Sequence, residues 1–188
     1  MKTTEKEVII FISGKGTNAI NIIEYSKKTD GFYVSHIFSN NIHFKKEKIK
    51  NPEIKYFLFK NDELNFKVLE EVKKINPQLI ILAGFLKKIP VSFISNFKNR
   101  IINIHPSLLP KYGGIGMYGS TIHENVIKNK EINTGITIHY VSEEYDEGKI
   151  IFQKPIPINQ DDDAKTIEKK IHMLEYEYYP KIIESLLN

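Results

Sequence analysis

The sequence predicts an α/β fold: a mostly parallel, twisted sheet with helices on both faces and an antiparallel strand addition toward the C-terminus. Short apolar segments alternate with stretches of helical periodicity over the first part of the chain. Several of these segments lack polar alternation, which is typical of parallel strands covered on both faces. Later in the chain, two strand-like segments follow each other with only a turn between them, as in an antiparallel pair.

The elements follow from these patterns in chain order. Buried strands are predicted at 7–13, 31–39, 54–59, 78–84 and 100–105, and the first helix at 17–28. The next helix, at 62–75, is amphipathic, because one apolar stripe repeats at helical spacing and includes Leu64, Val68, Leu69, Val72 and Ile75.

The last third of the chain changes character. Strands are predicted at 134–142, which alternates in period two, and at 149–158. A helix follows the acidic run 161–163, and Pro180 inside it predicts a kink or a restart. Because no repeat, low-complexity linker or composition break is visible, we expect one domain over 1–188.

Composition excludes several classes of protein. A hydrophobic content of 41% with 27% charged residues is that of a globular chain. No segment approaches the length of a membrane span, and the N-terminus lacks the apolar core of a signal peptide, so we expect a cytoplasmic protein with no membrane partner. Cysteine is absent, which excludes disulfides and thiolate ligands, and no histidine pair has metal-ligand spacing with a third partner. We therefore expect no metal.

The net charge of +4 raises the question of a nucleic-acid partner. Of the 27 basic residues only Arg100 is an arginine, and the lysines are scattered. Nucleic-acid binding usually uses arginines and clustered basic faces, so we expect no such partner. A diffuse positive charge would instead attract a small anionic substrate.

A glycine loop, SGKGTNA at 13–19, joins the first strand to the first helix. Such a turn exposes unpaired backbone N–H groups at the positive end of a helix, which suits a phosphate. The spacing of Gly14, Gly16 and Ala19 matches a loose dinucleotide pattern, but the second strand ends at 38–41 without the carboxylate that a ribose requires. The sequence therefore favours a monophosphate over a dinucleotide; the alternative is a turn that only permits close packing.

Asn103 and His105 lie two positions apart at the end of a predicted strand, so their side chains share a face. Pro106 follows directly and ends the strand. An amide and an imidazolium are two donors for an oxygen that gains charge in acyl transfer, and Asp146 in the loop YDEG is a carboxylate that would raise the pKa of His105. The alternative, in which Asn103 caps backbone and His105 packs under the prolines, stays open from the residues alone.

The remaining histidines carry weaker signals. His139 is either near this site or satisfied within the sheet, and His123 lies on a predicted helix without a role of its own. No G-x-S-x-G motif or cysteine supplies a covalent nucleophile, so a direct transfer is favoured.

The motif NIHPSLLPKYGG, with LAGFLKKIP before it and TGITIHYVSEEYDEG after it, resembles the formyltransferase family, whose members use 10-formyltetrahydrofolate. The loop SGKGTN is similar to the loop of the members that act on glycinamide ribonucleotide. The resemblance implies a Rossmann-like sheet and a one-carbon transferase of purine biosynthesis. Its reaction would pass a formyl group from 10-formyltetrahydrofolate to the amine of glycinamide ribonucleotide, giving formylglycinamide ribonucleotide and tetrahydrofolate.

The resemblance also implies roles for individual residues. The expected catalytic residues are Asn103, His105 and Asp146, with Asp146 keeping His105 charged. The expected substrate-binding residues are Gly14, Lys15, Gly16, Thr17, Asn18, Gly84, Ile104, Pro106, His172 and Glu175. The residues expected at the folate are Leu86, Lys87, Lys88, Ile89, Ile101, Asn103, Ser142, Glu143, Glu144 and Asp146.

Some positions depart from the family pattern. Lys87 stands where arginine is frequent, Lys88 where an apolar residue is common, and His172 where other members have Gln or Lys. The segment 112–120 is rich in glycine and replaces a histidine-containing stretch, which indicates a mobile or tightly turned loop over the cofactor.

Three other functions remain as alternatives. A methionyl-tRNA formyltransferase would need a further C-terminal domain, and a formyltetrahydrofolate hydrolase an N-terminal regulatory domain. A non-catalytic nucleotide-binding module would tolerate loss of Asp146, whereas the enzyme would not. A monomer and a homodimer fit the sequence equally.

Overall fold

Seven strands form one sheet in the computed structural model, which describes residues 6–188. In chain order the strands are β1 (Lys6–Ile12), β2 (Phe32–Ser39), β3 (Lys55–Leu58), β4 (Leu79–Leu82), β5 (Ile101–His105), β6 (Asn133–Tyr140) and β7 (Ile150–Pro157). They lie in the order β3-β2-β1-β4-β5-β6-β7. The pairs from β3 to β5 are parallel, whereas β6 and β7 are antiparallel to their neighbours. The predicted fold class is confirmed.

The helices cover both faces of this sheet. They are α1 (Thr17–Ser26), α2 (Leu69–Ile75), α3 (Val91–Asn96), α4 (Ser120–Lys128) and α5 (Ala164–Leu187). Alternate residues of β1 enter different hydrophobic clusters: Val8 and Ile10 pack with α1, α4 and α5, whereas Ile9 and Phe11 pack with α2 and α3. Since successive side chains of a strand point to opposite faces, the two clusters lie on opposite sides of the sheet.

The second predicted helix is only partly α-helical. A 3₁₀ turn at Asn61–Glu63 and a π turn at Leu64–Val68 precede α2. The predicted apolar stripe is nevertheless buried at Leu64, Val68, Leu69 and Val72. The short helix α3 was not predicted, because its six residues offer too little periodicity.

The strand β6 is buried on both faces, although its alternation is typical of a strand with one exposed face. The segment after β5 covers the side on which Thr137 lies. The Thr137 hydroxyl donates to the Ser107 carbonyl (2.7 Å) and accepts from the Leu109 N–H (3.0 Å). Because these bonds satisfy a buried hydroxyl, polar positions of β6 are tolerated inside the protein.

Pro180 does not restart the last helix, which runs unbroken from Ala164 to Leu187. A proline has no N–H to give to the carbonyl four residues earlier, here that of Tyr176. The Asn21 side chain on α1 donates to this Tyr176 carbonyl instead, at 2.9 Å. The predicted restart is therefore wrong, and a tertiary hydrogen bond from α1 replaces the one that proline removes.

Replacing Gly135 in β6 with alanine is expected to destabilise the protein. An added Cβ would lie 2.2 Å from the Lys154 carbonyl oxygen of β7, so backbone would have to move. We expect unfolding free energy in urea to fall by about 1–3 kcal/mol, as for an overpacked core. Gly14→Ala is the matched control, because nothing lies within 4 Å of its added Cβ. Equal stability of the two variants would contradict the close approach of β6 and β7.

Candidate active site

A cavity of about 840 Å³ opens at the carboxyl ends of the parallel strands. The chain leaves β1 toward one edge of the sheet and β4 toward the other, so the strand order reverses between them. Ligands of open α/β sheets bind at such a switch point. The ends of the two strands are joined there, since the Ser13 N–H donates to the Gly84 carbonyl (3.0 Å) and the Leu86 N–H donates to the Ser13 hydroxyl (3.0 Å).

The glycine loop forms one wall of the cavity through residues 14–18. Gly16 adopts the left-handed region at φ 72° and is the N-cap of α1, where it offers no side chain to the helix N–H groups. An added Cβ would lie 2.6 Å from the Phe44 ring, so glycine is required for conformation and space. The uncapped start of α1 therefore presents backbone donors at the positive end of a helix, as a phosphate site requires.

Asn103, His105 and Asp146 meet in the same cavity. The Nε2–H of His105 donates to the Tyr112 carbonyl (2.7 Å), which only accepts, so the proton of the neutral ring is on Nε2. His105 Nδ1 then lies 3.5 Å from Asp146 Oδ2. The sequence placed these side chains on one strand end and one distant loop, and the fold brings the carboxylate to the free imidazole nitrogen.

Asp146 is held by its own loop and by the glycine-rich segment. The Gly114 N–H donates to Asp146 Oδ2 (2.9 Å), and Asp146 itself adopts φ 58°. Non-glycine residues rarely occupy this left-handed region, so the β6–β7 loop holds a strained residue beside the cavity. The segment 112–120 therefore contacts the catalytic candidate directly as well as lining the cavity.

Burial has the largest effect on the pKa of His105 in the free protein. Burial lowers the pKa of His105 below 6.5, even though Asp146 and the Tyr112 carbonyl act to raise it. Asp146 thus acts toward a charged His105, the direction that was expected, but desolvation has the larger effect on this pKa. Burial also acts to raise the pKa of Asp146, but contacts with His139, His105 and the Gly114 N–H together lower it.

His139 belongs to this group, which the sequence left undecided. It lies opposite Asn103 in the β5–β6 register, and Asn103 Nδ2 is 3.2 Å from His139 Nε2. His139 Nδ1 donates to the Tyr140 carbonyl (2.9 Å), so in the neutral ring Nε2 accepts from the Asn103 amide. The same Nε2 lies 3.5 Å from Asp146 Oδ1, and in a charged ring it would donate to this carboxylate instead. With the neutral ring, one of the two amide hydrogens of Asn103 is fixed, and the other remains for a ligand. Only the strand register could have revealed this pairing.

A second polar group lies on α5, beside the glycine loop. Glu175 is 5% exposed, and its Oε2 accepts from Asn18 Nδ2 (2.9 Å) and from His172 Nδ1 (2.8 Å). The contact with Glu175 raises the pKa of His172 despite partial burial. The predicted substrate-binding residues of α1 and α5 are thus connected by hydrogen bonds, and His172 is more readily charged than an ordinary histidine.

The segment after β4 forms the opposite wall. Leu86, Lys87 and Lys88 are exposed at the cavity, whereas Ile89 is buried. Lys88 forms an ion pair with Glu144 of the β6–β7 loop (3.1 Å), which is exposed and therefore weak. This pair joins the two segments that were predicted to line the folate site.

Two predicted residues lie outside the cavity wall. Ile101 is 2% exposed and packs in the cluster with α2 and α3, because it is at the start of β5 and the cavity is at its end. Glu143 is exposed on the β6–β7 loop and does not line the cavity. The other predicted substrate and folate residues all line it.

Neither a metal cluster nor a membrane-spanning helix is present among residues 6–188. Within this range no three histidine or acidic side chains are grouped so that they could hold a metal ion. No helix in the same range combines the length and apolar character needed to cross a membrane.

The chain matches the formyl transferase family over residues 6–183 and belongs to it. The relatives of this chain carry the name of one particular enzyme within the family. A phosphoribosylglycinamide formyltransferase of Haemophilus influenzae is 31% identical over 95% of this chain and 86% of its own length. The chloroplastic phosphoribosylglycinamide formyltransferase of Vigna unguiculata is 33% identical over 96% of this chain, which spans only 61% of that relative. The sequence resemblance to this family is confirmed.

A solved structure agrees with these relatives. The phosphoribosylglycinamide formyltransferase of Bacillus halodurans superposes with a TM-score of 0.87 at 32% identity, covering 97% of this chain and 96% of that one.

Proposed function

We propose that this protein transfers the formyl group of 10-formyltetrahydrofolate to the amine of glycinamide ribonucleotide. One observation carries the proposal: a single cavity joins the uncapped start of α1, the Asn103–His105–Asp146 group and the exposed segment after β4. These are a phosphate site, an acyl-transfer site and a wall for a larger ligand. The names of the relatives support the choice of substrates.

The ribonucleotide would bind along α1 and α5. Its phosphate would accept hydrogen bonds from the N–H groups of loop 14–18, with the exposed Lys15 adding positive charge. Glu175, already paired with Asn18 and His172, offers a carboxylate to hydroxyl or N–H donors of the substrate. This orientation directs the amine away from the phosphate and toward Asn103.

The residues of the opposite wall fit a folate. Gly84 has φ 72°, and a Cβ added to it, or to Gly114 or Gly116, would project into open space rather than meet the protein. Backbone is thus exposed on the walls of a mainly apolar cavity, which is typical of a small-molecule site. When bound there, 10-formyltetrahydrofolate supplies the electrophilic formyl carbon.

Asn103 and His105 would stabilise the oxygen that gains negative charge when the amine attacks. The remaining amide hydrogen of Asn103 and a proton on His105 Nδ1 are the two donors. Because burial lowers the pKa of His105 in the free protein, its Nδ1 would accept a proton before donating, and the ammonium form of the substrate amine would supply it. A group buried to this degree is preorganised, since water does not compete for the oxygen.

Asp146 would complete the proton transfer. Its Oδ2 lies 3.5 Å from His105 Nδ1 and also accepts from the N–H of Gly114. A charged Asp146 stabilises the imidazolium that forms during the reaction. The imidazolium proton then passes to the folate nitrogen that loses the formyl group, and the second proton lost by the attacking amine leaves to solvent. The carboxylate thus acts on a charge that appears only during turnover.

An assay with purified protein separates the alternatives. We expect loss of 10-formyltetrahydrofolate that depends on added glycinamide ribonucleotide. Loss without the ribonucleotide would favour the hydrolase, and no loss under either condition would favour a binding module.

If the glycine loop binds the phosphate, a negative charge placed there should weaken ribonucleotide binding but not folate binding. Lys15→Glu places a carboxylate at the start of α1, where the phosphate is expected, so the dissociation constant of the ribonucleotide is expected to rise by about tenfold or more. Tetrahydrofolate binding is expected to change little. Isothermal titration calorimetry with each ligand measures both effects.

The matched control is Lys28→Glu, which makes the same charge change at an exposed lysine outside the cavity wall. Equal weakening of both ligands by Lys15→Glu, or equal effects of the two variants, would place the phosphate elsewhere.

The proposal includes a cytoplasmic location and small-molecule partners only. Both substrates are charged, diffusible metabolites, which the protein would meet in the compartment where purines are made. Gel filtration at several concentrations would distinguish a monomer from a homodimer.

A further inference from the structure

A buried histidine that the proposed mechanism does not use lines the same cavity. His123 lies on α4, is 3% exposed and contributes to the cavity wall. Its Nδ1 is enclosed and has no hydrogen-bond partner among residues 6–188. A buried polar atom without a partner is uncommon, and at a cavity it calls for an explanation.

The enclosed nitrogen determines which tautomer His123 adopts. Burial lowers the pKa of His123 and so favours the neutral ring, which carries one N–H. An enclosed N–H with no acceptor is rarer than an enclosed lone pair. The proton is therefore on Nε2, the ring nitrogen that is not among the enclosed unpaired atoms. His123 consequently offers the cavity a neutral hydrogen-bond donor.

The groups that act on His123 indicate in which part of the cavity it lies. The charged and titratable groups that act on it are Glu168, Glu175 and His172 of α5, and His105 of β5. Glu175 is bonded to Asn18, whose Oδ1 is a second enclosed atom without a partner in the described chain. This is the side of the cavity assigned to the ribonucleotide.

We propose that His123 is a further substrate-binding residue, which donates a hydrogen bond from Nε2 to an uncharged oxygen of the ribonucleotide. A carbonyl or hydroxyl oxygen is the matching acceptor. The phosphate would already be bound by loop 14–18, and Glu175 is an acceptor that cannot donate to a substrate oxygen. This inference rests on the proposed function for the identity of the ligand. With this contact, α4 would bind the ribonucleotide together with α1 and α5.

Two substitutions of equal length test the donor. Gln at position 123 can place an amide N–H near the site of Nε2, whereas Met fills similar space without a donor. We expect His123→Met to weaken binding of glycinamide ribonucleotide about tenfold and His123→Gln to stay within about threefold of the unchanged protein. Calorimetric titration of the ribonucleotide, without folate, gives these constants. Tetrahydrofolate binding and thermal unfolding are measured on the same samples, and we expect both to be similar in the two variants.

A third variant identifies the nitrogen. The amide of His123→Asn reaches only the position of Nδ1. We therefore expect this variant to bind the ribonucleotide as weakly as His123→Met does. If His123→Met does not fold, His123→Asn takes its place in the comparison. Stronger ribonucleotide binding by Asn than by Gln would overturn the assignment to Nε2. Equal binding by Met and Gln, or equal losses for both ligands, would overturn the role in substrate binding. Failure of the unchanged protein to bind the ribonucleotide would contradict the proposed function together with this inference.

Discussion

Asn103→Ala is expected to lower kcat by about 10²–10³-fold, the usual cost of losing one donor to a developing oxyanion. The side chain ends at the cavity, and its amide is already oriented by His139 at 3.2 Å, so the remaining hydrogen is preorganised. Because the interaction forms only during the reaction, KM for either substrate is expected to change much less than kcat. His105→Ala removes the other donor and is expected to cause a loss of the same order. Steady-state kinetics with both substrates measure these effects.

The control is Asn96→Ala, which removes an exposed amide from the surface of α3. It is expected to leave kcat unchanged. Thermal unfolding should show that Asn103→Ala still folds, since this side chain is only partly buried. Normal turnover in folded Asn103→Ala would remove the oxyanion role proposed for the amide.

Asp146→Asn is expected to lower kcat by about 10²–10⁴-fold, the range for loss of an acid–base group. The substitution keeps the shape of the side chain but removes the charge that lies 3.5 Å from His105 Nδ1. The imidazolium formed during transfer then loses its counterion. The exposed Asp161, outside the cavity wall, provides the matched Asp161→Asn control.

Asp146→Asn is also expected to change the pKa of His105. Burial lowers the pKa of His105 and Asp146 raises it, so removing the carboxylate is expected to lower this pKa further. The charged fraction of His105 below pH 6.5 should therefore be smaller in Asp146→Asn than in the unchanged protein. An NMR titration of the histidine ring signals measures this directly. A higher pKa in the variant, or unchanged turnover, would contradict the coupling between the two side chains.

The parallel strands of the sheet could be predicted from the sequence because each is a short apolar run between turn residues. Asn103 and His105 could be predicted for the same reason, since Pro106 marks where β5 must end. The loop that carries Asp146 was also identified from its turn residues. Local pattern therefore located the elements and the ends of the strands at which function was expected.

Contacts between residues far apart in the chain could not be predicted from local sequence patterns. The register of β6 against β5 places His139 opposite Asn103, and no local pattern encodes that register. The bond from Asn21 to the Tyr176 carbonyl explains why Pro180 leaves α5 unbroken, yet these residues are far apart in sequence. The lowered pKa of His105 likewise depends on burial by distant segments, which only the folded structure provides.

The measurement that tests the account most directly is the fate of an isotopically labelled formyl group. The protein is mixed with labelled 10-formyltetrahydrofolate and glycinamide ribonucleotide, and the products are separated and identified by mass spectrometry, with His105→Ala as the control. The account predicts that the label appears on the ribonucleotide amine in equal amount to the tetrahydrofolate formed, and that His105→Ala slows both. Label recovered as free formate, with the ribonucleotide unchanged, would contradict it.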